Sequence, residues 1–128
     1  MADLRIMVIE DDIYAFEYTN LLLSMQGYHV SYWPTSTGAA EQIAQHQPDL
    51  VLLDQRLDRS PNGWDILQAL REQPTTGHIP ILLFSSDHEF LRSHETEIHA
   101  MGGDVLEKPF HPGELLAKVE AMTSPIDR

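Results

Sequence analysis

The chain has 128 residues, enough for one ordinary domain with a substantial core, and its 42% hydrophobic and 22% charged content is that of a globular protein. Eight basic against 20 acidic residues give a formal charge of −12, which argues against direct nucleic-acid binding and leaves proteins, cations and small molecules as partners. No apolar stretch approaches the ~20 residues of a membrane span, the start reads as no signal peptide, and zero Cys excludes disulfides and thiolate metal sites, so the cytoplasm is the expected compartment.

Strand-like and helix-like segments alternate along the chain. Leu4 to Ile9 reads as the first strand and Ile13 to Met25 as the first helix, stopped by Gly27. Along that helix Ala15, Tyr18, Leu22 and Met25 make a stripe expected to pack on a sheet, which leaves Phe16 and Leu23 on a neighbouring face. His29 to Trp33 is a second strand, and Thr37 to Gln45 a helix capped by Ser36 or Thr35. Leu50 to Leu53 is a third strand; a polar loop from Gln55 to Asn62 leads to a helix from Gly63 to Gln73. After the break at Pro74-Thr75-Thr76-Gly77 come a strand from Ile79 to Phe84 and a helix from His88 to Met101. Gly102-Gly103, a fifth strand from Val105 to Glu107 and a last helix from Pro112 to Met122 follow. Such βα alternation calls for α/β architecture: a five-stranded parallel sheet with helices on both faces, over residues 1–123, with 124–128 as a short polar tail.

Four clusters follow the apolar runs: Glu10-Asp11-Asp12, Asp54, Ser85-Ser86 and Lys108-Pro109. Groups just past the carboxyl ends of parallel strands converge in one crevice. Like charges as close as Glu10, Asp11 and Asp12 raise one another's pKa unless a cation neutralises them, and an all-oxygen set suits a hard ion such as Mg²⁺. Asp12 also suits a simple helix cap. A carboxylate such as Asp54 can attack phosphorus and form an aspartyl phosphate. Ser85 can donate to a phosphoryl oxygen, Ser86 is small enough to leave an entrance, and Lys108 is a flexible point charge for phosphate. Singly, a strand-end acid, two serines and a Lys-Pro are ordinary loop residues; their joint placement is the signal.

From Leu4 to Met122 the chain resembles the receiver domain of two-component response regulators, of the single-domain, chemotaxis-regulator type, which implies a flavodoxin-like, doubly wound five-stranded parallel sheet of order 2-1-3-4-5. The resemblance implies that Asp54, closing Asp-Leu-Val-Leu-Leu-Asp, is the phosphoacceptor. It implies Mg²⁺ (or Mn²⁺) held by Glu10, Asp11, Asp54 and the Arg56 carbonyl, with Ser85 and Lys108 at the phosphoryl group and a cis bond in Lys108-Pro109-Phe110. A histidine kinase or histidine phosphotransfer protein would donate the phosphoryl group, and output would go to a downstream protein target through changed contacts. On this reading the chain is no enzyme beyond its own phosphorylation and dephosphorylation, and a homodimer is left open. The donor's helix is expected on the first helix, with Phe16 and Tyr14 either as its apolar contact patch or packed against the last helix or in a homodimer.

The chain also departs from the resembling family. Leu57 is followed by Asp58 rather than Pro, with Gly63 one residue late, and Val105 stands where relatives often carry Tyr or Phe. A dehalogenase-like phosphatase would need a second acid at position 56, which is Arg. A flavodoxin-like carrier would need a Ser/Thr/Gly-rich loop in place of Glu10-Asp11-Asp12. A receiver-like module working without phosphorylation is the remaining rival. The seven His residues scatter and read as surface residues, and Trp64, beside Gly63, is expected near the site.

Overall fold

The computed structural model describes residues 4–57 and 61–124; Asp58 of the departing loop and residues 125–128 of the expected tail lie outside the described residues. Five strands alternate with five helices: β1 (Arg5–Ile9), α1 (Ile13–Met25), β2 (His29–Trp33), α2 (Ala39–His46), β3 (Leu50–Asp54), α3 (Gly63–Arg71), β4 (Ile81–Ser85), α4 (His88–Ala100), β5 (Gly103–Glu107) and α5 (Pro112–Thr123). All pairings are parallel, as the alternation predicts, and the strand order is β2-β1-β3-β4-β5, the order the resemblance implies.

The period of two along the strands sorts the core into two layers. Met7, Ile9, Val51, Leu53, Ile81 and Leu83 face α2, α3 and α4, where Ile43, Leu67 and Leu91 meet them. Ile6, Val8, Leu50, Leu52, Leu82 and Phe84 face the other way, onto Leu23 of α1 and Leu115 and Val119 of α5. Burial on both faces explains why the strands are continuous apolar runs rather than alternating ones.

The inward face of α1 differs from the expected stripe. Thr19 and Leu23 are the buried positions, Phe16 packs against the same core layer, and Tyr18 and Met25 are exposed. Phe16 stacks on Tyr32 of β2, with ring centroids 3.7 Å apart and planes 11° from parallel, so it is a packing residue rather than a free contact patch. Positions 16, 19 and 23 form as good a helical stripe as 15, 18, 22 and 25. A helix apolar nearly all round carries no periodic signal to choose between them.

Three boundaries shift for local reasons. The expected hydroxyl cap of α2 is replaced by Gly38, in the left-handed region at φ 75°, with no side-chain cap bond; Thr35 Oγ1 instead accepts the Thr37 N–H at 3.2 Å. Ser36 is buried, and its hydroxyl has no partner among the described residues. β4 starts at Ile81 rather than Ile79 because Pro80 has no N–H to give the ladder. β5 starts at Gly103, which pairs with Ile81 so closely that a Cβ there would sit 2.9 Å from the Ile81 carbonyl oxygen. A glycine that the sequence places before a strand beginning at Val105 is therefore the first residue of that strand.

Candidate functional site

The sheet reverses its winding between β1 and β3, and the crevice beyond their carboxyl ends receives the acids that follow both strands. Glu10 is buried; its Oε1 accepts from Lys108 Nζ at 2.9 Å and its Oε2 from the Asp12 N–H at 3.2 Å. Asp54 is buried as well; its Oδ2 accepts from the same ammonium at 3.3 Å and its Oδ1 from the Arg56 N–H at 3.2 Å. Asp11 contributes a carboxylate such that one oxygen each from Glu10, Asp11 and Asp54 lie within 4.8 Å of one another. Asp12 is turned away: its Oδ1 caps α1, accepting the N–H groups of Tyr14 and Ala15 at 3.0 and 3.4 Å.

This crowding has an electrostatic consequence. Burial, then the neighbouring Asp54 carboxylate, push the Glu10 pKa up to about 7 against the opposing pull of Lys108. Burial alone would lower the Lys108 pKa, but the Asp54 and Glu10 carboxylates outweigh it and the net shift is upward. One ammonium is thus held against more carboxylate charge than it neutralises. Oxygen-only donors with a surplus of negative charge fit a hard divalent cation.

Past β4, the buried Ser85 hydroxyl donates to Gln55 Oε1 at 2.8 Å and accepts the Asp87 N–H at 2.9 Å. Ser86 and Lys108 line a cavity of about 310 Å³ with Tyr18 and Phe110 of α1 and the β5–α5 connection. The Lys108-Pro109 peptide bond is cis, as the resemblance implies, and Lys108 Nζ also lies 4.6 Å over the Phe84 ring. Arg56 is exposed, two residues past Asp54.

Glu10, Asp11, Asp54 and Lys108 thus come together at one point. Asp12 serves as a cap, and Trp64, next to Gly63 against the end of β3, packs on Phe90 and His94, at centroid distances of 5.8 and 4.9 Å. His94 stacks on Phe90 at 4.0 Å and is half-buried rather than a plain surface histidine. His99 Nε2 lies 2.9 Å from Asp104 Oδ1, and Lys118 donates to Oδ2 at 3.0 Å. Burial works against the Asp104 carboxylate, but hydrogen bonds from His99, Lys118 and the Val105 N–H outweigh it and hold its pKa below the usual value. That group is a structural ion-pair network tying α4, β5 and α5. Gln55 is the site residue that sequence reasoning passed over; a carboxamide directly after the acid that ends a buried strand was the available signal.

A doubly wound sheet with an acid-lined, lysine-bridged pocket at its switch point defines a flavodoxin-like domain. The chain belongs to the response regulator receiver domain family, whose model matches residues 6–120. It is 31% identical over 124 residues to the DNA-binding dual master transcriptional regulator RpaA of Synechocystis, covering 97% of this chain and 51% of that one. The chain spans about half the length of the curated relatives it matches. Among solved structures it resembles a CheY-like receiver domain protein of Methanospirillum hungatei, with a TM-score of 0.82, 21% identity and 98% of each chain covered. It also resembles the receiver domain of the sensor histidine kinase PA1611 of Pseudomonas aeruginosa, which has a magnesium ion coordinated in its active site cleft. There the TM-score is 0.79, with 22% identity over 95% of this chain and 98% of that one. The chain is therefore a receiver domain of the two-component response-regulator type, a signalling domain. No helix among the described residues is long and apolar enough to cross a membrane.

Proposed function

We propose that this receiver domain accepts a phosphoryl group on Asp54 from a phosphohistidine donor, a histidine kinase or histidine phosphotransfer protein, and signals by changed contacts with a downstream protein. The observation that carries the reading is Lys108 Nζ between Glu10 Oε1 and Asp54 Oδ2, at 2.9 and 3.3 Å, in a pocket of surplus carboxylates. Glu10, Asp11, Asp54 and the Arg56 carbonyl would hold Mg²⁺ or Mn²⁺. Such an ion supplies the positive charge that lets a dianionic phosphoryl group approach three acids.

Asp54 acts as the nucleophile: one carboxylate oxygen bonds to phosphorus as the phosphorus–nitrogen bond of the donor breaks, its electron pair leaving on the imidazole. Lys108, already poised at Asp54, balances the charge on the phosphoryl oxygens. Ser85 donates its hydroxyl proton to one of them. Turnover is confined to the domain's own phosphorylation and dephosphorylation. A charge of −12 favours protein contacts over nucleic acid as the readout of the domain itself. Incubation with acetyl phosphate and Mg²⁺, followed by intact mass, tests the reading. A single labile phosphoryl adduct is expected; no adduct at any Mg²⁺ concentration would favour a module that works without phosphorylation.

A further inference from the structure

We infer that Gln55 is a positioning residue that commits the Ser85 hydroxyl away from Asp54 until a phosphoryl group competes for it. The inference rests on the phosphoacceptor reading above. A serine hydroxyl has one proton to donate. In the unphosphorylated protein that proton goes to Gln55 Oε1 at 2.8 Å, and an oxygen lone pair takes the Asp87 N–H at 2.9 Å. Ser85 is fully buried and Gln55 nearly so, so water does not compete for this bond. The hydroxyl therefore cannot serve a phosphoryl oxygen and keep its bond to Gln55.

Both backbones are tied by hydrogen bonds to neighbouring elements. The Gln55 N–H donates to the Phe84 carbonyl at 2.8 Å, and the Gln55 carbonyl accepts the Gly63 N–H at 3.0 Å, which fixes residue 55 between β4 and the start of α3. Ser85 pairs with Glu107, and its carbonyl accepts the Lys108 N–H at 2.9 Å. The exchange must then occur in the two side chains. A phosphoryl oxygen is a charge-assisted acceptor, roughly twice as strong as a carboxamide oxygen, so it wins the hydroxyl once Asp54 is modified. Gln55 Oε1 is then left to find another donor, because an unpaired buried acceptor is costly. The Ser85–phosphoryl bond thus forms against an opposing bond worth about a fivefold factor. Gln55 sets how firmly the domain holds its phosphoryl group, and carries its arrival to the β3–α3 junction.

The test is a double-mutant cycle read by binding of beryllium fluoride, a phosphoryl mimic on carboxylates, with Mg²⁺ present. Gln55→Met and Gln55→Leu both fill the space without an acceptor, so either one that folds decides the outcome. Each is expected to tighten beryllium fluoride binding about fivefold with Ser85 present and to change nothing in a Ser85→Ala background. A readout independent of loading is the side-chain amide resonance of Gln55 in the metal-free protein, which should shift on Ser85→Ala. Unchanged or weakened binding, or the same change in both backgrounds, would mean that Gln55 only packs and would overturn the inference. A wild-type protein that binds no beryllium fluoride would instead bring down the phosphoacceptor reading, and this inference with it.

Discussion

Gly63 opens α3 at the point where the helix crosses the end of β3. A Cβ built there would lie 2.2 Å from the Asp54 carbonyl oxygen, 2.7 Å from the Gln55 Cα and 2.9 Å from the Asp54 carbonyl carbon. Ordinary carbon–oxygen contacts are about 3.3 Å or longer, so Gly63→Ala must push the helix and strand about 1 Å apart. The obstacle is backbone on both sides, so no side chain can rotate to relieve it. The shift also strains the Gly63 N–H bond to the Gln55 carbonyl, now 3.0 Å. Overpacking of this kind costs about 1–3 kcal/mol and the weakened hydrogen bond about 1 more, while alanine in a helix returns about 0.5–1. The expected net loss is about 2 kcal/mol, a fall of roughly 8 °C in Tm for a chain of this size. Urea unfolding at fixed pH measures it, and acetyl phosphate labelling of the same protein should slow because Asp54 moves with its carbonyl. A Gly63→Ala protein as stable as wild type would refute the close approach of α3 to β3.

Three other outcomes follow from the same geometry. Because the folded-state pKa of Glu10 is raised from 4.5 to about 7, the folded protein binds that proton more tightly than the unfolded chain. Its contribution is most favourable below about pH 4.5 and is lost as pH rises to 7, on the order of 3 kcal/mol in all. The metal-free protein should therefore lose more stability from pH 5 to 8 than Glu10→Gln does, and Mg²⁺ at a hundredfold excess over its Kd should restore about 2.7 kcal/mol at pH 8; identical pH slopes for the two proteins would contradict this. Arg71 donates to the carbonyls of Met101, Thr76 and Ile79 at 2.5, 3.3 and 2.7 Å, so Arg71→Ala should destabilise by about 2 kcal/mol in urea unfolding without changing labelling of Asp54. Phe16→Ser should cost about 2 kcal/mol through its lost stack on Tyr32, whereas an unchanged unfolding midpoint would return Phe16 to the role of a free docking patch.

The layered fold is legible in the sequence because burial on both faces writes each strand as an apolar run such as Leu50-Val51-Leu52-Leu53, and the acids and lysine stand directly after those runs. Wherever two patterns were equally apolar, as on α1, periodicity had nothing to decide with, and contact with Tyr32 made the choice. Gly103 shows the opposite failure: a residue that usually interrupts strands is required where two strands approach too closely for a Cβ. Gln55 and Arg71 were illegible for a common reason. Each is ordinary in its local context and acquires meaning only from partners far along the chain, Ser85 for one and the Met101 carbonyl for the other.

The central claim is that Asp54 takes the phosphoryl group. Peptide mapping of the protein after acetyl phosphate treatment and borohydride trapping locates the acyl phosphate directly. The account predicts modification at Asp54 alone, dependent on Mg²⁺, slowed in Asp11→Asn and abolished in Asp54→Asn. Equal labelling of the Asp54→Asn protein, or modification mapped to Glu10 or Asp11 instead, would contradict it.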